Sequence, residues 1–216
     1  MRTKVTLSFD NGPTEVTPVV LDILRDRGIL STFFVIGDRL RAPGARQIVR
    51  RAVREGHWIG NHTMTHSIQF GDSDDPDLPY REIGATHTLL GSLAGPDRLF
   101  RPSGGGGILD KRLLSAAAVR YLEANGFTCV LWNCIPHDWD RPDGWVKRCV
   151  DDVLTRDWSL VVIHDLPTGA MRSLPSLLDR FAELNIDVVQ NFPPDCVPIR
   201  RGKRTGSLSG LCAENV

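Results

Sequence analysis

The sequence lacks the features that mark several classes of protein. Its five cysteines are odd in number and include no Cys-x-x-Cys pair, which indicates free thiols rather than a disulfide framework. Its 26 basic and 26 acidic side chains give a formal net charge of zero, which argues against a nucleic-acid partner. No apolar run approaches the roughly 20 residues that span a bilayer, so we expect no membrane anchor.

The chain is long enough for one sizeable domain. With 216 residues, 41% of them hydrophobic, it needs neither disulfides nor a structural metal merely to fold. We expect one domain over residues 1–199 and a polar C-terminal tail over residues 200–216. The first residues lead directly into a strand pattern without an apolar signal core, so we expect a cytoplasmic location.

Short apolar segments alternate with amphipathic segments along the chain. The apolar segments predict seven strands, at Lys4 to Phe9, Ser31 to Ile36, His57 to Gly60, Leu99 to Arg101, Thr128 to Trp132, Leu160 to His164 and Ile186 to Val189. The amphipathic segments predict six helices, at Val19 to Arg27, Gly44 to Glu55, Tyr80 to Leu93, Lys111 to Asn125, Gly144 to Thr155 and Leu174 to Leu184.

This alternation predicts parallel strands, because parallel strands need crossover helices between them. Gly28, Gly56 and Gly126 each follow a predicted helix, where a left-handed residue most easily ends the helix. Seven such units in one domain predict a distorted (β/α)7 barrel, TIM-barrel-like with one unit missing. A doubly wound open sheet is the alternative.

Polar side chains gather where the predicted strands end. In a β/α barrel, the loops at the carboxyl ends of the strands form the active site. Five of the predicted strands are followed by such residues, namely Asp10, Asn11, Asn61, His62, His66, Arg101, Asp138, Trp139, His164 and Asp165. We therefore expect one catalytic site built from these loops.

His62 and His66 have the spacing His-x-x-x-His. If the segment turns as a helix, both imidazoles lie on one face, at a separation that suits one metal ion. The spacing alone is also typical of surface or hydrogen-bonded histidines, and it is the position at a strand end that favours a metal. An oxygen from Asn11 or Asp10 would complete a three-ligand site with positions left for water and substrate.

Two pairs of side chains suit proton transfer. Arg101 can hold Asp10 ionised and oriented as a general base, although Asp-Asn-Gly-Pro is also typical of a structural turn. Asp138 can fix the tautomer of His164 and raise its pKa, which prepares His164 as a general acid. The alternatives are a structural ion pair for Arg101 and a core position for His164.

The loop after Arg101 is rich in glycine. It lacks the lysine and the Ser or Thr of a phosphate-binding loop, so we reject nucleotide binding. Ser103 and Gly104 are instead candidates for substrate binding, and Trp139 is a candidate for the pocket wall. The acidic stretch Asp72 to Asp77 is expected to be a solvated loop.

Six segments together resemble the polysaccharide deacetylase family, carbohydrate esterase family 4, which has a chitooligosaccharide deacetylase-like homology domain. They are LSFDNGP (7–13), TFFVIG (32–37), EGHWIGNHTMTH (55–66), FRPSGG (100–105), HDW (137–139) and VVIHD (161–165). The resemblance covers nearly the whole chain. It implies a metal-dependent N- or O-deacetylase on a distorted β/α barrel.

The resemblance also implies a role for each matching residue. Asp10 would be the general base, oriented by Arg101. His164 would be the general acid, oriented by Asp138, and Trp139 would line the substrate pocket.

The metal ligands implied by the resemblance are His62 and His66, for a divalent metal that is commonly zinc. The family's third ligand is the second Asp of Asp-Asp-Gly-Pro, and Asn11 stands in its place here. Its neutral amide oxygen is a weaker ligand than a carboxylate, so the affinity for a divalent cation should be lower. Ser103 likewise stands where the family usually has an aromatic residue, which indicates a different substrate.

We expect a hydrolase that removes an acetyl group from an N-acetylated sugar or oligosaccharide, by breaking an amide bond or an ester bond. Two alternatives remain open. One is a metal-independent amidohydrolase that acts on a cyclic amide or ureide, which Asn11 favours and the intact histidine pair opposes. The other is a relative that binds its ligand without catalysis.

Overall fold

The computed structural model describes residues 2–213. Its strands are β1 (Lys4–Gly12), β2 (Thr32–Val35), β3 (Trp58–Asn61), β4 (Leu99–Phe100), β5 (Thr128–Cys129), β6 (Trp158–His164), β7 (Asp187–Val189), β8 (Ile199–Arg200) and β9 (Lys203–Arg204). Its α-helices are α1 (Thr17–Asp26), α2 (Ala45–Arg54), α3 (Ala85–Leu90), α4 (Ala116–Ala124), α5 (Trp145–Val153) and α6 (Leu174–Glu183).

The chain divides into two compact units. Within the described residues, unit 1 comprises residues 2–33, 43–58 and 132–193, and unit 2 comprises residues 34–42, 59–131 and 194–213. The predicted alternation of strands and helices is present in both. The left-handed conformation predicted for Gly28, Gly56 and Gly126 is confirmed, with φ angles of 63°, 93° and 69°.

In unit 1, β1 is the central strand. It runs parallel to β6 with a register from Lys4 opposite Trp158 to Asp10 opposite His164, and it also pairs in parallel with β7. Nearly all residues of β1 and β6 are buried, as expected for parallel strands covered on both faces. This register brings the carboxyl ends of β1 and β6 side by side within the unit.

The helices of unit 1 bury an apolar stripe each. In α1 the buried side chains include Val20, Leu21 and Leu24, which recur at helical spacing. In α5, Trp145 is fully buried, and its Nε1–H donates to the carbonyl of Ala170 at 3.0 Å. Burial of these stripes fixes the strand ends that carry the polar residues.

In unit 2, β3, β4 and β5 form a parallel ladder. The strands β8 and β9, which the sequence did not predict, continue it with antiparallel pairing. Leu208 and Cys212 are buried, and Cys212 forms a bridge with Leu114. Residues 200–213 are thus attached to unit 2 through β8, β9 and Cys212, while most of their side chains are exposed. The predicted division into a domain over residues 1–199 and a tail over residues 200–216 stays a prediction, and residues 214–216 lie outside the described residues.

Two predicted helices differ in detail. The helix expected from Lys111 begins at Ala116, because Ser115 caps it by accepting the backbone N–H of Ala118 at 3.2 Å. The helix expected over residues 80–93 opens with a π-helical turn at Tyr80–Gly84 and ends in a 3-10 turn at Gly91–Leu93.

All five cysteines are buried, and none of them forms a disulfide in the described structure. Burial raises the pKa of the Cys129 thiol to about 12, which the charge of Arg101 only partly offsets. In the part of the chain between residues 2 and 213, no helix has both the length and the apolar character that crossing a membrane requires.

Candidate active site

In unit 1, β1 ends in Asp10 and Asn11. Asp10 is 3% exposed. Asn11 adopts φ 71°, a left-handed conformation that asparagine tolerates better than most residues. Its Oδ1 is buried and accepts no hydrogen bond from the described residues. A buried amide oxygen without a donor is unusual, so this atom has the capacity to bind a further group.

His164 and Asp138 form a buried pair in unit 1. Nδ1 of His164 lies 3.0 Å from Oδ1 of Asp138, and the backbone N–H of His164 donates to Oδ2 at 2.8 Å. The two contacts use both carboxylate oxygens, so the orientation of His164 is fixed. The predicted contact between these residues is confirmed, while their roles stay predictions.

The surroundings of His164 favour its protonated form. Burial lowers the pKa of His164, but the hydrogen bond and charge of Asp138 raise it, as do the charges of Asp10 and Asp165. The net result is a raised pKa, because the nearby carboxylates outweigh desolvation. An imidazole whose protonated form is stabilised in this way is suited to donate a proton.

Trp139 lies against His164, with ring centroids 4.7 Å apart in an edge arrangement. Its other neighbour is the ring of His137, at 4.9 Å. The indole is neither fully buried nor fully exposed. Such a position agrees with the expectation of a pocket wall beside the imidazole, which stays a prediction.

In unit 2, His62 and His66 follow β3, and their ring centroids are 4.7 Å apart. The helical turn that we considered for this segment is wrong. Residues 62–66 form a bend in which Thr63 has φ 65° and His66 has φ 56°. The rings approach each other through these two left-handed residues rather than through helical spacing.

The orientation of His62 is fixed by the backbone of unit 2. Its Nδ1 lies 2.9 Å from the carbonyl oxygen of Arg101, which can only accept, so Nδ1 carries the proton. Nε2 then carries the lone pair. This tautomer is the one that a metal-binding imidazole needs, and a carbonyl acceptor on the other nitrogen is a common supporting contact.

Arg101 is fully buried in unit 2. Its guanidinium donates to the carbonyls of Val130 at 3.2 Å and Leu131 at 3.1 Å, and lies 4.0 Å from the ring centre of Phe34. These contacts fix the side chain firmly. The predicted action of Arg101 on Asp10 stays a prediction.

A groove of about 290 Å³ in unit 2 lies beside His66. Its lining consists of His66, Ser67, Ile68, Gln69, Asp72, Ser103, Gly104 and Gly105. The two predicted substrate-binding residues, Ser103 and Gly104, are thus brought together with a predicted metal ligand. Asp72, which we expected in a solvated loop, also lines the groove. The hydroxyl of Ser103 donates to the carbonyl of Ile68 at 3.2 Å.

Sequence reasoning missed Glu82 and gave no role to Asn61. Glu82 is 7% exposed and accepts hydrogen bonds from the segment between the two histidines. Asn61 accepts the backbone N–H of Thr63 at 3.0 Å and donates to the carbonyl of Ile83 at 2.8 Å. The spacing of Glu82 reads as an ordinary helix-surface position, so no signal in the sequence identifies it.

The residues fit a divalent metal only in part. Among residues 2–213, no three or more His, Cys, Asp and Glu side chains are grouped so that they could hold a metal ion. Asn11 is an amide and is not one of these types. Its buried Oδ1 without a donor and the tautomer of His62 are nevertheless the properties that metal ligands need.

The sequence profile of the family described as Polysaccharide deacetylase matches residues 2–129. Among curated relatives, YheN of Bacillus subtilis (strain 168), which bears the name of a polysaccharide deacetylase, is 30% identical over 83% of this chain. The chain spans 64% of the length of that relative. A chitooligosaccharide deacetylase of Bradyrhizobium sp. (strain ANU 289) is 36% identical over 82% of this chain and 77% of its own.

Solved structures share the fold. A family 4 carbohydrate esterase from Streptomyces lividans, solved with acetate, superposes with a TM-score of 0.72 and 26% identity. The match covers 90% of this chain and 96% of that one. A family 4 pseudoenzyme from Bacillus anthracis has a TM-score of 0.71 at 18% identity, over 87% of this chain and 63% of its own, and shows the fold alone.

These comparisons confirm the predicted fold class, a distorted (β/α)7 barrel, over the doubly wound alternative. They also confirm the predicted enzyme class, because the relatives are named as deacetylases, which are hydrolases of carbon–nitrogen bonds other than peptide bonds. The chain belongs to the polysaccharide deacetylase family, carbohydrate esterase family 4.

Proposed function

We propose that this chain is a metal-dependent deacetylase that acts on the acetamido group of an N-acetylated sugar or short oligosaccharide. The observation that carries the proposal is the buried His164–Asp138 pair, since a protein that merely binds a sugar has no need of an imidazole that a carboxylate orients and whose pKa is raised. The name of the Bradyrhizobium relative, a chitooligosaccharide deacetylase, supports the substrate class.

In the proposed reaction, water attacks the acetyl carbonyl and the carbon–nitrogen bond breaks. Asp10 removes a proton from the attacking water, and His164 gives a proton to the leaving nitrogen. The products are acetate and a free amine. Trp139 limits the space beside His164, so that the leaving nitrogen is held where the proton is delivered.

The metal in this proposal is divalent, with zinc as our choice. His62 and His66 would hold it, together with Asn11 as the third ligand that the family resemblance implies. When bound, such an ion polarises the acetyl carbonyl and makes its bound water more acidic. A cobalt ion accompanies one related acetyl xylan esterase, which supports a divalent ion without deciding which one.

The groove beside His66 is proposed to take the sugar. Ser103 and Gly104 line it without a bulky side chain, so the space where family members usually carry an aromatic residue is open. We therefore propose a short or non-standard substrate rather than a long polymer. The cytoplasmic location stays a prediction.

The test is elemental analysis of the purified protein beside an Asn11→Asp variant, with release of acetate from N-acetylated chitooligosaccharides measured before and after chelation. About one metal per chain and chelator-sensitive turnover, restored by adding Zn²⁺, support the proposal. Full turnover after exhaustive chelation overturns metal dependence and favours a cyclic amide or ureide as substrate.

Asn11 favours a second candidate, a relative with weakened catalysis that retains ligand binding. A neutral amide gives less charge to a divalent cation than the family's carboxylate does. This candidate predicts no metal and no turnover in the wild type, together with metal binding and measurable turnover in Asn11→Asp. The single substitution therefore separates the two candidates.

A further inference from the structure

The segment that carries the two histidines is held from a helix that plays no part in the proposed reaction. Oε2 of Glu82 accepts the backbone N–H groups of Met64 and Thr65, both at 2.9 Å. Oε1 accepts the hydroxyl of Thr65, also at 2.9 Å. One buried carboxylate thus satisfies three donors, all of them from the stretch between His62 and His66.

The same stretch is held on its other side by the backbone of unit 2. The carbonyl of Thr63 accepts the N–H of Gly37, and the carbonyl of Met64 accepts the N–H of Asp38, both at 2.9 Å. The N–H groups of Met64 and Thr65 are thus directed at Glu82, and the carbonyls of Thr63 and Met64 are directed at residues 37–38. Inside the bend, the N–H of His66 donates to the hydroxyl of Thr63 at 3.0 Å. The shape of the bend therefore depends largely on these outside partners.

This dependence is important because the bend is strained. Thr63 and His66 both have positive φ angles, which β-branched and bulky residues adopt only when the surroundings impose them. Without Glu82, two backbone N–H groups would lose their acceptor and the bend could relax. His66 would then turn away from His62, because the left-handed residues are what bring the two rings together.

The position of Glu82 in its helix is also unusual. It lies in the π-helical turn Tyr80–Gly84, which precedes α3. Such turns are rare and occur frequently at functional sites. The turn is fixed to the end of β3 through Asn61, whose side-chain amide donates to the carbonyl of Ile83. Glu82 is therefore built into a rigid support rather than placed on a mobile surface.

We infer that Glu82 is a positioning residue of the metal site, whose carboxylate fixes residues 62–66 in the bend that directs both imidazoles at one ion. This inference rests on the proposed function, since it takes His62 and His66 as ligands. Glu82 does not bind the metal itself. Glu82 affects metal affinity indirectly, by holding the two histidines in the geometry that binds the ion.

The experiment measures Co²⁺ binding to the metal-free protein, by titration and by the visible absorption of the bound ion. The variants are Glu82→Ala, Glu82→Gln and Thr65→Ala, with Thr128→Val as a control. Thr128 is a buried residue of β5 whose hydroxyl accepts the N–H of Arg201, so its loss weakens unit 2 without touching the bend. Thermal unfolding of each metal-free variant is measured in parallel.

Glu82→Ala should raise the dissociation constant for Co²⁺ by about 10- to 100-fold, the usual effect of removing a residue that supports metal ligands. Its absorption band should change, because an altered ligand set changes the spectrum. Glu82→Gln should retain most of the affinity, since its amide oxygen still accepts the two N–H groups. Thr65→Ala removes one of three contacts and should have a smaller effect, which tests the inference even if Glu82→Ala does not fold.

The control decides between positioning and general stability. Thr128→Val should lower the unfolding temperature and leave the Co²⁺ affinity unchanged. The inference is overturned if Glu82→Ala and Thr65→Ala bind Co²⁺ as the wild type does. It is also overturned if Thr128→Val loses as much Co²⁺ affinity, for a given loss of stability, as Glu82→Ala does. If the wild type binds no Co²⁺, the proposed function fails, and the inference fails with it for that separate reason.

Discussion

Replacing Asp138 with asparagine should abolish the proton-donating form of His164. The wild-type carboxylate uses Oδ1 for Nδ1 of His164 and Oδ2 for the backbone N–H. Asparagine has a single oxygen, which must face the backbone N–H because that group can only donate. The side-chain NH₂ then faces Nδ1, which must accept rather than donate. In the imidazolium form Nδ1 carries a proton, so it would lose its acceptor and face a second donor, the NH₂ group, which repels it.

The size of the effect follows from these contacts. A hydrogen bond to a charged group contributes about 1.5–3 kcal/mol, which corresponds to about 10- to 100-fold in rate. Complete loss of general-acid catalysis costs about 10²- to 10⁴-fold. Because Asp138 is fully buried, water cannot replace it, and we expect kcat for the amide substrate to fall toward the larger range.

The assay compares two leaving groups. A sugar amine must be protonated to leave, whereas 4-nitrophenolate leaves from its acetyl ester without a proton. Asp138→Asn should therefore lose far more activity on an N-acetylated oligosaccharide than on 4-nitrophenyl acetate. Asp140→Asn is the control, since Asp140 is half exposed and its Oδ1 lies 3.5 Å from Nδ1 of His137. Equal losses on both substrates would refute the role of His164 as general acid.

The pH profile gives a second readout of the same pair. The pKa of His164 is raised, so the acid form persists above the usual range of histidine and activity declines as pH rises through that raised pKa. In Asp138→Asn the alkaline decline should move to lower pH, because the strongest favourable charge is gone. An unmoved alkaline limb would assign that titration to another group.

Three further predictions concern the metal and the stability of the fold. Asn11→Asp should bind a divalent cation more tightly than the wild type in equilibrium dialysis, because a carboxylate adds charge to the ligand set. Unchanged binding would remove Asn11 from that set. Trp145→Ala should cost about 3–5 kcal/mol in urea unfolding, because it empties a buried site and leaves the carbonyl of Ala170 without its donor. If the loss in free energy of unfolding were no larger than that of an exposed substitution, the surrounding side chains would have moved in to fill the space left by Trp145. Burial lowers the pKa of His57 below the ordinary histidine value of 6.5. As pH drops below 6.5, the unfolded chain therefore binds more protons than the folded chain, and the free energy of unfolding should fall. His57→Gln, which keeps an acceptor for the Ser31 amide, should reduce this acid sensitivity in thermal melts, and an identical pH dependence would contradict the assignment to His57.

The sequence predicted the fold best in the segments where buried residues recur at regular spacing. The strands β1 and β6 are buried along nearly their whole length, and their parallel pairing places Asp10 opposite His164. The pairing of His164 with Asp138 was also predictable, because a carboxylate and a histidine at strand ends have few other partners. The short strands β8 and β9 were not, because each has only two residues and three of the four are charged, so pairing with neighbours rather than composition stabilises them.

The relative geometry of His62 and His66 could not be predicted from the sequence, for a different reason. The His-x-x-x-His spacing suggested a helix, but the bend contains left-handed residues and its N–H groups donate tertiary hydrogen bonds to Glu82. Glu82 is separated from that bend in the sequence, and a glutamate in a helix usually faces solvent. Only the fold reveals that this carboxylate is buried and directed at backbone amides.

The reactivity of the five buried thiols can be used to measure how often the native structure transiently opens. A thiol must be both accessible and ionised to react with an alkylating reagent, and burial raises the pKa of Cys129 to about 12. Cysteine modification of the native protein should therefore be slow and should follow the rate at which the structure transiently opens. Because Cys149 lies in unit 1 and Cys129 in unit 2, mass spectrometry of the labelled peptides would report how each unit opens, without any engineered probe.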